Sequence, residues 1–192
     1  MTTVVLFHSV LGLRPAVHVT ADALRAAGHD VTVPDLYDGE FFDDMDIALS
    51  HFQQLGVPEM MRRTEVSIAG LPPDIVYAGF SNGGVSAEYL AASRPGARGA
   101  LLMHAALPLA GLGLSEWPKN VPVQVHYAQH DPWRSPDGVD QLSETVRAAG
   151  ARFEFFEYPI TGHLFADPGL PEYDEQSAEL MLERAARFLA EV

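Results

Sequence analysis

Short apolar runs alternate with longer segments of mixed polarity along most of the chain. Several of the short runs are apolar almost without interruption, which is typical of strands buried on both faces of a parallel sheet. The predicted strands are residues 3–8, 30–33, 75–78, 100–104, 121–127 and 152–157. The pattern therefore predicts about six strands, separated by segments long enough to form helices.

The segments between these runs carry apolar residues at helical spacing, and three of them end at a glycine, as helices often do. The predicted helices are residues 15–27, 43–55, 58–69, 82–93, 137–149 and 173–190. Regular alternation of strand and helix predicts right-handed crossovers and an α/β, doubly wound, mainly parallel open sheet with helices on both faces. Ligands of such sheets bind beyond the carboxyl ends of the strands.

Composition narrows the class of protein. The chain has 192 residues and 47% hydrophobic content, so we expect one globular domain over residues 1–192. The formal charge of −14, with no stripe of Lys or Arg, argues against a nucleic-acid partner. The absence of cysteine excludes disulfides, thiolate metal sites and a cysteine nucleophile. The apolar run at residues 4–7 is too short for a membrane span or a signal sequence, so we expect a cytoplasmic protein without membrane contact.

The segment after the third predicted strand reads GFSNGG and leads directly into a predicted helix. This matches the G-x-S-x-G nucleophile elbow in its required context of strand, sharp turn and helix. Glycines flank the serine because a side chain there would clash within so tight a turn. Ser81 is thus the candidate nucleophile, although a glycine-rich turn that only packs a helix against a strand has the same pattern.

A serine hydroxyl is a weak nucleophile at neutral pH and needs an adjacent base, which in turn needs a group to orient it. In the fold that carries this elbow, the acid and then the histidine follow the serine in the chain. Asp131 comes shortly after the predicted strand 121–127, and His163 lies in the loop after strand 152–157. The three side chains are therefore expected at one edge of the sheet.

Other residues compete for the same roles. His104 precedes the acid in the chain, and His126 lies inside a predicted strand. His130 is adjacent to Asp131 and is a candidate to support that acid instead of acting as the base. Asp137 is the alternative acid, although its position after Pro136 favours the N-cap of a helix.

An oxyanion needs two backbone N–H donors, and two loops can supply them. The first is the N–H of Asn82, directly after the nucleophile, and the second lies in the loop after the first strand, where Val10 is the preferred donor and Ser9 the next. The loop after the first strand could equally well be a simple connection between strand and helix, without a role in the site.

Taken together, these segments make the chain resemble the dienelactone hydrolase family over nearly its whole length. The likeness rests on VVLFHSVLGL, AAGHDVTVPDLYDG, GFSNGG, the HD pair at Asp131 and GHLFA around His163. The PDLY and GHxFA boxes are the more specific parts. The resemblance implies an α/β-hydrolase fold without a large cap domain, no metal or cofactor, and hydrolysis of an ester or lactone through an acyl-enzyme.

The chain departs from this family at three positions. The family typically has cysteine where this chain has Ser81, and a glutamate that activates the cysteine where it has Ser9. The two changes fit together, since a serine activated by His163 needs no such glutamate. Asp167 stands where dienelactone hydrolases have an arginine for the substrate carboxylate, which argues against an anionic dienelactone as substrate.

The sequence thus predicts a serine hydrolase for a small, uncharged ester, lactone or thioester. Two alternatives remain open: a non-catalytic binding member of the fold, and an acyltransferase that uses the same acyl-enzyme. The chain is expected to be a monomer or a small homo-oligomer. Aromatic and polar residues near the strand ends are candidates for the pocket walls: Ser9, Tyr37, Phe41, Phe42, Trp133 and Phe165. Residues 107–120, rich in Gly, Pro and Leu, are a candidate loop over the site.

Overall fold

The computed structural model describes residues 1–192 and contains one six-stranded sheet in the order β2-β1-β3-β4-β5-β6. The strands are β1 (Thr3–Phe7), β2 (Asp30–Thr32), β3 (Ile75–Phe80), β4 (Gly99–Met103), β5 (Val123–His130) and β6 (Phe153–Thr161). Every neighbouring pair of strands is parallel. The predicted α/β class and the open parallel sheet are confirmed.

Six α-helices connect the strands or follow them. They are α1 (Pro15–Ala26), α2 (Met45–Leu55), α3 (Val57–Ile68), α4 (Asn82–Ser93), α5 (Gly138–Ala148) and α6 (Glu175–Glu191). A single 3-10 turn, Leu109–Leu112, lies within the loop of residues 107–120. None of the helices combines the length and the apolar character needed to cross a membrane.

The last two strands extend further than their apolar pattern suggests. Strand β5 continues through the exposed residues Gln129 and His130, because it stays paired with β6 across a register shift after Ala128. Strand β6 runs through Pro159 to Thr161. Proline is tolerated there because β6 lies at the edge of the sheet, where one side of the strand needs no ladder hydrogen bonds.

Alternating strand residues point to opposite faces of the sheet and build two apolar clusters. In β1, Val5 and Phe7 belong to a cluster of 26 buried residues, which also contains buried residues of α3, α4 and α5. Val4 and Leu6 belong to a second cluster of 22 buried residues, with residues of α1 and α6. The helices therefore cover both faces, and only the strand ends remain free to present a site.

Candidate active site

Ser81 is the single residue between β3 and α4. Its backbone has φ of 52° and ψ of −116°, a conformation that non-glycine residues rarely adopt and that functional sites often hold in strain. A Cβ at Gly79 would lie 2.1 Å from the Gly83 oxygen, and one at Gly83 would lie 2.3 Å from the His8 oxygen. Both glycines are thus required for the turn that exposes Ser81 at the end of its strand.

The side chains of Ser81, His163 and Asp131 form a continuous hydrogen-bonded chain. The Ser81 Oγ lies 2.7 Å from His163 Nε2. On the other side of the ring, Nδ1 lies 2.9 and 2.8 Å from the two carboxylate oxygens of Asp131. Because an ionised carboxylate only accepts, the proton of the neutral ring sits on Nδ1, which leaves Nε2 free to accept from the Ser81 hydroxyl.

Asp131 is held in place by its surroundings. It follows directly after β5, and its side chain is fully buried. Besides facing the His163 ring, its Oδ1 accepts the backbone N–H of Trp133 at 2.8 Å. A buried carboxylate is costly unless it is hydrogen-bonded, and these partners meet that requirement. Asp131 can therefore orient His163 without approaching Ser81.

The loop after β6 positions His163. Gly162 has φ of 124°, and a Cβ there would lie 2.6 Å from the Cβ of Glu172. The Glu172 carboxylate also accepts the N–H of Leu164 at 3.3 Å. These contacts fix the residues on either side of His163, whose side chain is only 7% exposed.

A cavity of about 210 Å³ opens in front of Ser81 and His163. None of its fifteen lining residues is an Asp, Glu, Lys or Arg. One wall is formed by Met45, Leu49 and Phe52 of α2, and Trp133 lies at the side of His163, with the two ring centroids 6.2 Å apart. The cavity can therefore accept an uncharged organic group next to the serine hydroxyl.

Val10 and Asn82 line the same cavity. The N–H of Asn82 is the first of α4, and helices leave such N–H groups without intrahelical partners. The N–H of Val10 donates to no protein acceptor. Two residues with unpaired backbone N–H groups thus line the cavity that contains Ser81, and two such donors are what an oxyanion site requires.

The other predicted wall residues lie away from this cavity. Tyr37 is buried in the core against the ring of His8, and Phe165 is buried against the ring of His104. Phe41 is 52% exposed and pairs with the backbone of the β1 loop. Phe42 is partly buried and packs against both apolar clusters. Ser9 lines a separate small cavity, and its Oγ accepts the N–H of Leu11 at 3.2 Å.

Sequence reasoning missed the wall formed by α2. Met45, Leu49 and Phe52 recur at helical spacing, so their shared face is readable from the sequence. Nothing in that pattern indicates that the face meets Ser81 rather than the core.

The rival histidines take other positions. His126 is buried in β5, with its ring nitrogens 2.9 Å from the Tyr158 hydroxyl and from Gln124 Oε1. His130 is exposed at the end of the same strand. Asp137 occupies the N-cap position of α5 but makes no side-chain capping bond.

His104 is the unusual member of this group. It has φ of 63°, is almost fully buried, and has no hydrogen-bond partner at either ring nitrogen. Burial lowers its pKa well below the usual value, so the ring stays neutral. Its centroid lies 5.6 Å from that of His163, so this neighbour of His163 is an uncharged ring.

Asp167 pairs with a buried cation instead of facing the cavity. Its Oδ2 lies 2.5 Å from Nε of Arg14, whose guanidinium also bonds the Asp43 carboxylate and the Phe42 carbonyl. The Arg14 side chain is only 6% exposed, and it lines the small cavity next to Ser9. The position that departs from the resembled family therefore serves to join three loops.

The model of the dienelactone hydrolase family matches residues 1–192. No curated protein matches the chain significantly in sequence. Solved structures with a similar fold include a dienelactone hydrolase-like promiscuous phosphotriesterase from metagenomic libraries, at 20% identity and a TM-score of 0.80, covering 100% of this chain and 86% of the other. Esterase 2 of Thermogutta terrifontis, phosphonylated by cyclosarin, has 18% identity and a TM-score of 0.71, covering 99% and 82%. An α/β hydrolase enzyme from a Medee basin deep-sea metagenome library has 16% identity and a TM-score of 0.70, covering 99% and 84%.

Proposed function

The chain belongs to the dienelactone hydrolase family, and we propose that it is a serine hydrolase that cleaves a small carboxylic ester, lactone or thioester through an acyl-enzyme. The observation that carries the proposal is the 2.7 Å contact between Ser81 Oγ and His163 Nε2, with Asp131 bonded to the opposite nitrogen of the ring. Nucleophile, base and orienting acid are the three parts that acyl transfer by a serine needs.

In the first half of the reaction, Ser81 Oγ attacks the carbonyl carbon and its proton passes to His163 Nε2. Asp131 stabilises the imidazolium that forms, because its carboxylate already faces Nδ1. The backbone N–H groups of Val10 and Asn82 hold the developing oxyanion. Collapse of the tetrahedral intermediate breaks the bond to the leaving group, which takes the proton from Nε2 and leaves the acyl group on Ser81.

The second half repeats these steps with water. Water loses a proton to His163 Nε2 as its oxygen attacks the acyl carbon, and the same two N–H groups again hold the oxyanion. The bond from the carbonyl carbon to Ser81 Oγ then breaks, and Oγ regains the proton from His163. The products are a carboxylic acid and the free enzyme.

Serine in place of the family's cysteine is consistent with this scheme. A thiol loses its proton readily and can react as a thiolate, whereas a serine hydroxyl must transfer its proton during the attack. It therefore needs a base already within hydrogen-bond distance, which His163 Nε2 provides. No carboxylate lines the cavity to act in the base's place.

Labelling with a fluorophosphonate, followed by intact-mass and peptide analysis, tests the nucleophile. The native protein should gain one adduct on Ser81, and Ser81→Ala should gain none and lose at least about 10³-fold in turnover. Ser93→Ala is the matched control, because Ser93 is exposed near the other end of α4 and should leave labelling and turnover unchanged. Ester hydrolysis that survives Ser81→Ala would refute the assignment.

The same experiments separate the alternatives. A non-catalytic binding protein would gain no adduct and release no acid. An acyltransferase would be labelled, but with competing alcohols present it would form mainly a new ester rather than free acid. We expect free acid to dominate.

We also propose that residues 1–192 act as one domain. One continuous sheet runs through the chain, and both apolar clusters draw residues from its first and last thirds. A single cooperative unfolding transition, seen equally by fluorescence and circular dichroism, is the expected result.

A further inference from the structure

The cavity in front of Ser81 also indicates which esters fit. Resting on the hydrolase function above, we propose that the apolar face of α2, formed by Met45, Leu49 and Phe52, is the wall against which the acyl group lies. The enzyme then selects uncharged esters whose acyl group is compact and apolar, comparable in size to a benzene ring.

The order of the strands places the acyl group on the side of α2. The loop after β1 lies on one side of Ser81, and the loops after β4, β5 and β6 lie on the other. The leaving group must approach His163 to take its proton, so it lies toward β6 and the neighbouring Trp133. Val10 belongs to the loop after β1, and the next residue of that loop, Leu11, accepts the N–H of Phe42 from the segment that leads into α2. Val10 and α2 therefore border the cavity on the side of β1, which is the space left for the acyl group.

The residues that line the cavity disfavour a negatively charged acyl group. No Lys or Arg lines the cavity, and the nearby Arg14 is already bonded to two carboxylates and lines a different, smaller cavity. A carboxylate on the acyl group would lose its hydration without gaining a partner. The chain's net charge of −14 adds to the disadvantage of an anion.

The volume limits the size of the acyl group. An apolar cavity of about 150 Å³ holds one benzene molecule. The cavity here has about 210 Å³ and also borders His163 and Trp133, so the leaving group shares this volume and an acyl group larger than such a ring would not fit. Butyryl and benzoyl groups fit this space, whereas a decanoyl chain would have to extend into solvent. On the leaving-group side Trp133 is 55% exposed, so that side is open and should tolerate different alcohols.

Helix α2 is capped at its N-terminus, and its cavity face is less exposed than its outer face. Asp44 caps it by accepting the N–H of Ile47 at 3.0 Å, and Ala48 is fully buried against the rest of the molecule. Leu49 and Phe52 are partly buried and face the cavity, whereas the Ile47 side chain is 59% exposed. A matched control on the same helix is thus available.

The test is a series of p-nitrophenyl esters with a common leaving group: acetate, butyrate, benzoate, decanoate and the hydrogen succinate. The succinate half-ester is the anionic counterpart of the butyrate. For the native protein we expect kcat/KM with butyrate to exceed that with decanoate and with the succinate half-ester by at least about tenfold. Each value is divided by that for acetate, so the ratios do not depend on the fraction of folded enzyme.

Two variants then move the wall in opposite directions. Leu49→Phe fills the cavity and should lower the benzoate-to-acetate ratio by about fivefold or more, and Phe52→Ala enlarges it and should raise the decanoate-to-acetate ratio by a similar factor. Ile47→Ala should leave all ratios within about twofold.

Unchanged ratios in both wall variants, with acetate still hydrolysed and Ser81 still labelled, would contradict the role of α2 as the acyl wall but not the hydrolase function. A succinate half-ester turned over as well as butyrate would overturn the uncharged class. Hydrolysis of no ester, with no label on Ser81, would overturn the proposed function itself.

Discussion

Replacing Glu88 with glutamine should make the stability of the protein less dependent on pH. Glu88 lies on α4 with its side chain fully buried, and one carboxyl oxygen accepts the N–H of Leu107 at 3.0 Å. The other oxygen has no partner. Burial raises the pKa of Glu88 to about 8, and the bond from Leu107 opposes this increase only in part.

The direction and size of the effect follow from the proton balance. In the unfolded chain the pKa of the carboxyl is about 4.5, whereas in the folded protein it is about 8. Between these values the folded state binds more protons than the unfolded state, so stability falls as the pH rises. At about 1.4 kcal/mol per pKa unit, Glu88 removes about 4 kcal/mol of stability between pH 5 and pH 9. Glutamine has a similar shape and no proton to lose, so Glu88→Gln should not show this loss.

Urea unfolding of the native protein and of Glu88→Gln at pH 5, 7 and 9 measures the difference. The two proteins should agree to within about 1 kcal/mol near pH 5, and the variant should be more stable by about 4 kcal/mol near pH 9. Glu144→Gln on the exposed side of α5 is the control, and its stability should follow that of the native protein at each pH.

Parallel pH dependences for the native protein and Glu88→Gln would contradict a raised pKa of Glu88 in the folded protein. That result would mean that Glu88 is ionised in the folded protein at neutral pH. It would also mean that the loop at Leu107, which lines the cavity in front of Ser81, is held by a buried charge rather than by a neutral acid.

Three further predictions concern the site and its scaffold. Asp131→Asn should retain the fold by circular dichroism but lower kcat by about 10³- to 10⁴-fold, because the amide no longer favours the required tautomer of the imidazole; near-native turnover would contradict its role. Gly83→Ala should lower the free energy of unfolding by at least about 2 kcal/mol, because the new Cβ would lie 2.3 Å from a backbone oxygen, whereas Gly70→Ala, with no atom within 4 Å, is the control and should change it by less than about 0.5 kcal/mol. Arg14→Met should cost about 3 kcal/mol in urea unfolding, because the carboxylate of Asp167, 12% exposed, loses its cation; an unchanged midpoint would show that this ion pair adds no stability.

Much of the site could be predicted because parallel strands bring their carboxyl ends to one edge. Once the apolar runs marked the strands and GFSNGG marked the turn, Ser81, Asp131 and His163 had to lie near one another, although 82 residues separate the serine from the histidine. Glycine placement added a steric signal, since the turn at Ser81 has no room for side chains at Gly79 and Gly83. The apolar runs, the GFSNGG turn and the glycine positions are all local features of the sequence, so local rules were sufficient to identify them.

The contents of the cavity were decided by tertiary structure. Periodicity shows that Met45, Leu49 and Phe52 share a face of α2, but only packing decides that this face meets Ser81. Tyr37 and Phe165 have the aromatic character of pocket walls and are instead buried in the core.

For the charged residues too, the sequence shows their number and the folded structure shows their pairing. The count of acidic and basic residues is visible in the sequence, and it already argues against polyanionic partners. Arg14 forms an ion pair with Asp167, 153 residues away, and only the folded chain shows this pairing. The amino-acid pattern alone therefore specifies the order of the helices and strands and the edge of the sheet where a site can form, because both depend on local pattern and on the parallel connection of strands. Which side chains surround the serine depends on how helices and loops from distant parts of the chain pack together, and no local pattern encodes that.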